Sequence, residues 1–297
     1  MKLGICCVYF YGPESEWLLE LQLRYIASTL SGYDYTVYAA ANRLQPELRQ
    51  ILERTPRVRI IPLPLFNGEG SFEHAYYLDL LLRHAADDGY THLAALDADS
   101  FPLLPDWPKV LLRRMGSARL AAVLRSENLD THLPHPCGLF MERSFLLERA
   151  PRMLPPKSEI LSDASFQEFL KETGQRPDTG IGYGYALWKS KEPWLPLTRS
   201  NRRNPHFLMA GIYGHVFFHL GASSRGRPWF YFDYRSRVSL RIGPPLTTIP
   251  LLWRLGPWFE ERYIASNMRI FETIVKSLRS NPDRFLSSLQ GLQGTAS

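Results

Sequence analysis

Leu93-Ala94-Ala95-Leu96-Asp97-Ala98-Asp99-Ser100-Phe101-Pro102 is the stretch on which the fold turns. An unbroken apolar run leads straight into a pair of aspartates. A short continuous apolar run reads as a strand covered on both faces, the kind found in parallel sheets. Asp88-Gly89 turns the chain into it, which places a strand over 92–96.

The elements before it have the same character. Leu3 to Phe10 is a second apolar run, followed by an amphipathic helix over 17–30 that Ser31-Gly32 closes. A strand is expected over 35–40, a helix over 46–54 with Pro46 in its first turn, and a strand over 58–63 broken by Pro62 and Pro64. The loop 67–71 feeds a helix over 72–86, with Ser71 as its N-cap. Further on come strands over 120–124 and 138–141, helices over 165–173 and 181–189, and a helical stretch over 258–289. Strands alternating with helices predict the α/β class, with a mainly parallel, doubly wound sheet and right-handed crossovers. Ligands of such sheets bind beyond the carboxyl ends of the strands, where Asp97 and Asp99 fall.

Composition sets the outer bounds. The chain has 297 residues, 45% hydrophobic and 22% charged, which is enough for a sizeable core and argues against wholesale disorder. The formal charge of +6 suits an anionic partner, yet no nucleic-acid motif accompanies it, so none is expected as a partner. Cys6, Cys7 and Cys137 are odd in number and lack CxxC spacing, which indicates a reducing, cytoplasmic setting without a disulfide framework. The amino-terminal apolar run lacks a small-residue cleavage site and reads as a first strand. No stretch reaches the roughly 20 apolar residues that span a bilayer. The aromatic segment 250–259 admits peripheral contact with the inner face of a membrane, packing on the domain, or a homodimer interface, packing being preferred.

Two carboxylates two residues apart project to one side of the chain if the extended backbone continues past Leu96. Hard cations such as Mn2+ and Mg2+ take oxygen ligands and are typically held by one or two carboxylates plus substrate phosphates. A cation there neutralises a departing diphosphate. Solvated turn aspartates are the plain alternative. Tyr9 and Tyr11, at the end of the first strand, are candidates to flank a nucleotide base, or else core aromatics. Arginine clusters at 199–203 and at Arg225, Arg227, Arg235, Arg237 and Arg241 offer forks for phosphate oxygens, or solvated loops.

With these residues in view, the chain resembles the A-type-fold (GT-A) glycosyltransferases of the nucleotide-diphospho-sugar transferase superfamily, in particular the family-two-like branch. The likeness runs through His74-Ala75-Tyr76-Tyr77-Leu78, the Asp97-Ala98-Asp99 motif, His135-Pro136-Cys137-Gly138, Asp178-Thr179-Gly180 and His219-Leu220-Gly221-Ala222-Ser223-Ser224-Arg225, over roughly residues 1–230. Ala75 stands where the branch has glycine. The resemblance implies a metal-dependent transferase of hexosyl type with a nucleotide-diphosphate sugar as donor. The acceptor would be a carbohydrate, a lipid-linked molecule or a small molecule. By the same resemblance Asp97, His74 and Arg225 meet the donor, Asp99, Asp97 and His219 hold Mn2+ or Mg2+, and His135, Cys137 and Gly138 line the acceptor pocket. Asp178 is the base of an inverting reaction, with Asp163 as rival base or plain helix cap. Retaining enzymes of this fold use the same metal motif, so stereochemistry stays open. His132 is a further candidate for the acceptor, and His215 for a two-histidine metal site with His219. The catalytic domain is expected over 1–240, divided at 105/106 into donor and acceptor halves, with a helical extension over 241–297.

Two alternatives remain. A sugar-phosphate nucleotidyltransferase would show a Gly-rich basic loop after the first strand, whereas 9–16 is acidic and has no lysine. A non-catalytic carbohydrate-binding or scaffold protein on a decayed transferase fold would be free to lose the aspartates and the late histidine, which are present.

Overall fold

The computed structural model describes residues 1–12, 14–68, 70–221 and 256–291, with side chains of the last stretch from 265 onward. Its centre is a seven-stranded sheet of order β3-β2-β1-β4-β7-β6-β8. The strands are β1 (Lys2–Val8), β2 (Asp34–Ala40), β3 (Val58–Ile60), β4 (His92–Asp97), β6 (Leu120–Val123), β7 (His135–Glu142) and β8 (Leu195–Leu197). Neighbours pair parallel except at β7, which runs antiparallel to both β4 and β6. The expected mainly parallel sheet is present, and the six like-directed strands deliver their carboxyl ends to one edge.

Period two explains why both faces are covered. Cys6, Val8, Leu93 and Ala95 enter one core cluster, with side chains of α3 (Ser71–Asp87), α7 (Ala164–Thr173) and α8 (Ile181–Ser190). Their neighbours Leu3, Ile5, Ala94 and Leu96 enter another, with α1 (Glu16–Thr29) and α4 (Trp107–Met115). Side chains of successive strand residues point to opposite faces, so an unbroken apolar run is what a sheet with helices on both sides requires. The remaining helices of this part are α2 (Pro46–Arg54), α5 (Arg143–Arg149) and α6 (Lys157–Ser162).

A second sheet of three short strands has the order β5-β10-β9, from β5 (Ser100–Pro102), β9 (Gly211–Tyr213) and β10 (Phe217–His219). Phe101, Ile212 and Phe218 from this sheet pack with Leu18 and Leu21 of α1. Ile274 of α9 (Gly256–Ser280) and Leu286 of α10 (Pro282–Gln290) join the same cluster. The expected carboxyl-terminal helical stretch is thus broken at Asn281, whose side chain caps α10 by accepting from Arg284 N at 3.0 Å. The expected domain limit at 240/241 lies outside the described residues, as do Arg225, Arg227, Arg235, Arg237 and Arg241. Among the described residues no helix is long and apolar enough to cross a membrane.

Two boundaries differ from expectation for local reasons. β3 stops at Ile60 because Pro62 and Pro64 remove donors from the ladder. Gly70, at φ +68°, and not Ser71, occupies the cap of α3, and no side chain caps it.

One buried group on α3 ties the fold to pH. Asp79 accepts from the backbone N–H of Met153 at 2.9 and 3.1 Å. Burial pushes its carboxyl from the ordinary 3.8 up to about 7, although Met153 N–H and the charges of Arg83 and Arg152 oppose the shift. The folded value lies above the unfolded one, so this contribution to stability is whole below about pH 4 and is lost as pH rises through 7. Its size is on the order of 4 kcal/mol. Asp79→Asn should therefore gain on the wild type in melting temperature by several degrees between pH 5 and pH 8. A difference that stays constant across that range contradicts the assignment.

Candidate metal and donor site

The aspartate motif is shaped by a turn. β4 ends at Asp97, Ala98 and Asp99 form a turn, and β5 resumes at Ser100. The extended backbone expected through Asp99 is absent, because each carbonyl across the turn has a partner that bends the chain. Gln22 Nε2 donates to Asp97 O at 2.8 Å and to Ser100 O at 2.7 Å. Ser100 Oγ also donates to Asp97 O, at 3.0 Å. Tyr11 Oη donates to Ala98 O at 2.7 Å, and Leu220 N donates to Asp99 O at 3.0 Å. Gln22 is completely buried. Gln22→Met keeps the volume and removes the donor, leaving two buried carbonyls short of a partner. The expected cost is about 3 kcal/mol in urea unfolding, and a loss below half a kcal/mol would deny Gln22 this role.

The turn brings the two carboxylates together. Ser100 pairs with His219 between β5 and β10, so the imidazole arrives beside them. His219 Nε2 lies 3.3 Å from Asp99 Oδ1 and 3.6 Å from Asp97 Oδ2. His74, in the first turn of α3, places Nε2 3.5 Å from Asp97 Oδ1, and His135 Nδ1 lies 3.9 Å from Asp97 Oδ2. Asp99, His135 and His219 are buried.

Charge in this cluster is unevenly divided. Burial pushes the Asp97 carboxyl above its usual range, against the opposing pull of His74 and His219. Burial disfavours a charge on His219, yet Cys137 and Asp99 beside it lift the imidazole well above its ordinary value. Burial drives His135 well below that value, and the charges of Arg125, His219 and His74 add to the effect. A proton on His219 would have to leave for its imidazole to join Asp97 and Asp99 in holding a divalent ion. Asp97 Oδ1 is buried and has no hydrogen bond. Two carboxylates and an imidazole fit a divalent cation, and the nitrogen suits Mn2+ better than Mg2+.

β7 brings in its residues through an irregularity. Ala122 pairs with Leu139 but Val123 pairs with His135, so the segment 136–138 bulges from the ladder. Bulges of this kind re-aim side chains beside functional sites. The Cys137 sulfur is turned toward Asp97 and His219, and ligand atoms of all three residues lie within 4.8 Å of one another. Gly138, expected at the acceptor, has a packing role: a Cβ there would meet Phe217 and Val123 at 2.7–2.8 Å.

Asp178 precedes α8, and its Oδ1 accepts from Thr179 N at 2.8 Å. Its other oxygen lies 3.6 Å from Arg125 Nη2, and its side chain is 43% exposed, leaving it open to a substrate. Asp163 caps α7, accepting from Ser165 N at 2.9 Å and Phe166 N at 3.2 Å, which leaves the plain-cap reading in force. Tyr9 is fully buried in the core beside Leu19 and Leu48 and presents no free face to a base; Tyr11 is half-buried. His215 is exposed in a turn before β10 at φ +59°, so it does not join His219 as expected of a strand. The Arg199 guanidinium is spent on its own loop, donating to the carbonyls of His206 at 2.8 Å and Met209 at 2.6 Å.

Arg125 escaped the sequence reading. It follows β6 at the same sheet edge as Asp97, pairs with Asp130 at 3.2 Å and Asp178 at 3.6 Å, and influences the titration of both Asp97 and His135. The rule that pointed to Asp97, looking just past a buried strand, also points to Arg125.

No family model and no curated protein matches the chain. Solved structures similar to it include a mannosyltransferase from Pyrobaculum calidifontis in complex with GDP-Man and Mn2+. It is 14% identical, with a TM-score of 0.40 over 68% of this chain and 58% of that one. A cytidylyltransferase from Leptospira borgpetersenii is 11% identical, with a TM-score of 0.41 over 71% and 81%. TarS of S. aureus in complex with UDP-GlcNAc is 10% identical, with a TM-score of 0.37 over 52% of this chain and 49%, about half, of that one.

Proposed function

We propose that the chain is a metal-dependent glycosyltransferase that moves a sugar from a nucleotide-diphosphate donor to an acceptor hydroxyl. The observation that carries this reading is the convergence of Asp97, Asp99 and His219 beyond the carboxyl end of β4, with Asp97 Oδ1 buried, without a hydrogen bond and 3.5 Å from His74 Nε2. Sheet edges of this kind receive ligands, and a carboxylate pair there is suited to a cation that a diphosphate completes. Asp97, Asp99 and His219 would hold Mn2+, which when bound neutralises charge on the leaving diphosphate.

The chain's own residues account for the rest. His74 stands against the buried Oδ1 of Asp97 and orients that carboxylate. Arg125 supplies positive charge near Asp97 and holds Asp178 in place. Asp178 takes the proton of the acceptor hydroxyl, which has to leave as the oxygen attacks; a partly exposed carboxylate held at Oδ1 by Thr179 N, with Arg125 3.6 Å from Oδ2, is suited to that role. An inverting displacement follows if Asp178 is that base.

A thermal-shift screen of nucleotide diphosphates and their sugars, with and without Mn2+, tests the reading. Stabilisation by one nucleotide that depends on the metal is the expected result. A melting curve that no nucleotide moves, with or without Mn2+, rejects it.

A further inference from the structure

Cys137 has no part in the chemistry above, yet its sulfur faces the cluster. Ligand atoms of Asp97, Cys137 and His219 lie within 4.8 Å of one another, and all three side chains come from separate strands of the two sheets. A four-coordinate Zn2+ with oxygen, nitrogen and sulfur ligands separates its donors by about 3.3–3.7 Å, so side-chain shifts on the order of 1 Å close the site. The His219 Nε2 to Asp97 Oδ2 distance, 3.6 Å, already satisfies this. Thiolate ligands select Zn2+ and its neighbours, whereas Mn2+ stands at the weak end of the affinity order for such donors.

We propose that Asp97, Cys137 and His219 form a three-ligand site for a thiophilic divalent cation of the Zn2+ class, bound with Cys137 as thiolate. Its fourth position would be taken by a water, an oxygen of the substrate or the Asp99 carboxylate, whose Oδ1 lies 3.3 Å from His219 Nε2. On binding, the Cys137 sulfhydryl proton leaves to solvent, the imidazole binds through an unprotonated Nε2, and no other bond changes. Because Asp97 and His219 are shared, this ion and the Mn2+ of the proposed transferase exclude one another, so Zn2+ acts as an inhibitor that competes with Mn2+. The inference rests on the cation-site reading of Asp97 and His219, not on the transferase reading.

Cobalt reports the sulfur directly. The metal-free full-length protein is titrated with Co2+, and the near-ultraviolet band that only sulfur-to-cobalt charge transfer produces is recorded. The band should appear in the wild type, persist in Cys7→Ala, vanish in Cys137→Ser and bleach on adding Zn2+. Cys137→Ala, with each variant's melting curve, shows whether loss of the band reflects loss of the fold. Visible cobalt bands without the near-ultraviolet one, a band that survives in a folded Cys137 variant, or no cobalt spectrum at all each overturns the proposal. Mn2+-dependent stabilisation by nucleotide, measured on the same Cys137 variants, separates this failure from that of the transferase reading: its persistence leaves the transferase standing without the thiol.

Discussion

Asparagine in place of Asp99 is expected to abolish the metal-dependent response to nucleotide while leaving the metal-free protein folded. The substitution keeps the size of the side chain and a polar neighbour for His219 Nε2, which lies 3.3 Å from the carboxylate. What it removes is charge. A buried carboxylate that helps to raise Asp97 above its usual range is an electrostatic burden on the metal-free fold. Its loss should therefore shift the metal-free melting temperature little, and His219 should give up its proton more readily. With Mn2+ the outcome differs, since the cation loses one of two anionic ligands. Calorimetric titration should show affinity falling at least about 100-fold, and transfer activity at least about 1,000-fold, the counterpart of roughly 4 kcal/mol of lost transition-state stabilisation. If Mn2+ binding survives within a few-fold, Asp99 belongs to the scaffold and the proposed site is wrong.

The same residues show what can be read from a sequence of this kind. β1, β2, α2 and β4 were legible because each carries a strong local signal: an unbroken apolar run or a helical period with a proline at its start. β5, β8, β9 and β10 span three residues apiece, too short for a period to declare itself, and exist because other chain segments pair with them. α4 was hidden among Pro102, Pro105 and Pro108, although Pro108 falls in its first turn, where an N–H is not needed. Asp97, Asp99, His74 and His219 were named together from motif order, and the structure brings them to one place. Gln22 could not be named: between Leu21 and Leu23 it looks like a polar position on an amphipathic helix, and its use depends on a turn 75 residues away. Cys137 was given to the acceptor because nothing in the sequence records that β7 bulges where it does.

The segment 132–134 that leads into that bulge packs against α8 and the glycine before it, and here a single methyl group should have a large effect. Gly184→Ala would set a Cβ 1.9 Å from the carbonyl oxygen of His132, a separation below 3.0 Å that real Cβ atoms essentially never show. Gly182 faces the Arg152 carbonyl at 2.0 Å in the same way. These blockers are backbone atoms, which cannot rotate aside as a side chain does. Relief requires α8 to move off the segment 132–134 by about 1 Å, taking with it the stretch that holds Asp178 and disturbing the start of β7 at His135. The expected loss is about 3–4 kcal/mol in urea unfolding, with Mn2+-dependent nucleotide binding weakened even in the fraction that stays folded. Gly174→Ala provides the comparison: that glycine has φ +64° and ψ +11°, with nothing within 4 Å of an added Cβ, so only the left-handed backbone is penalised, by about 1 kcal/mol. Should the two variants lose equal stability, α8 does not ride on the carbonyls of 132 and 152, and the path from its glycines to the metal cluster fails with it.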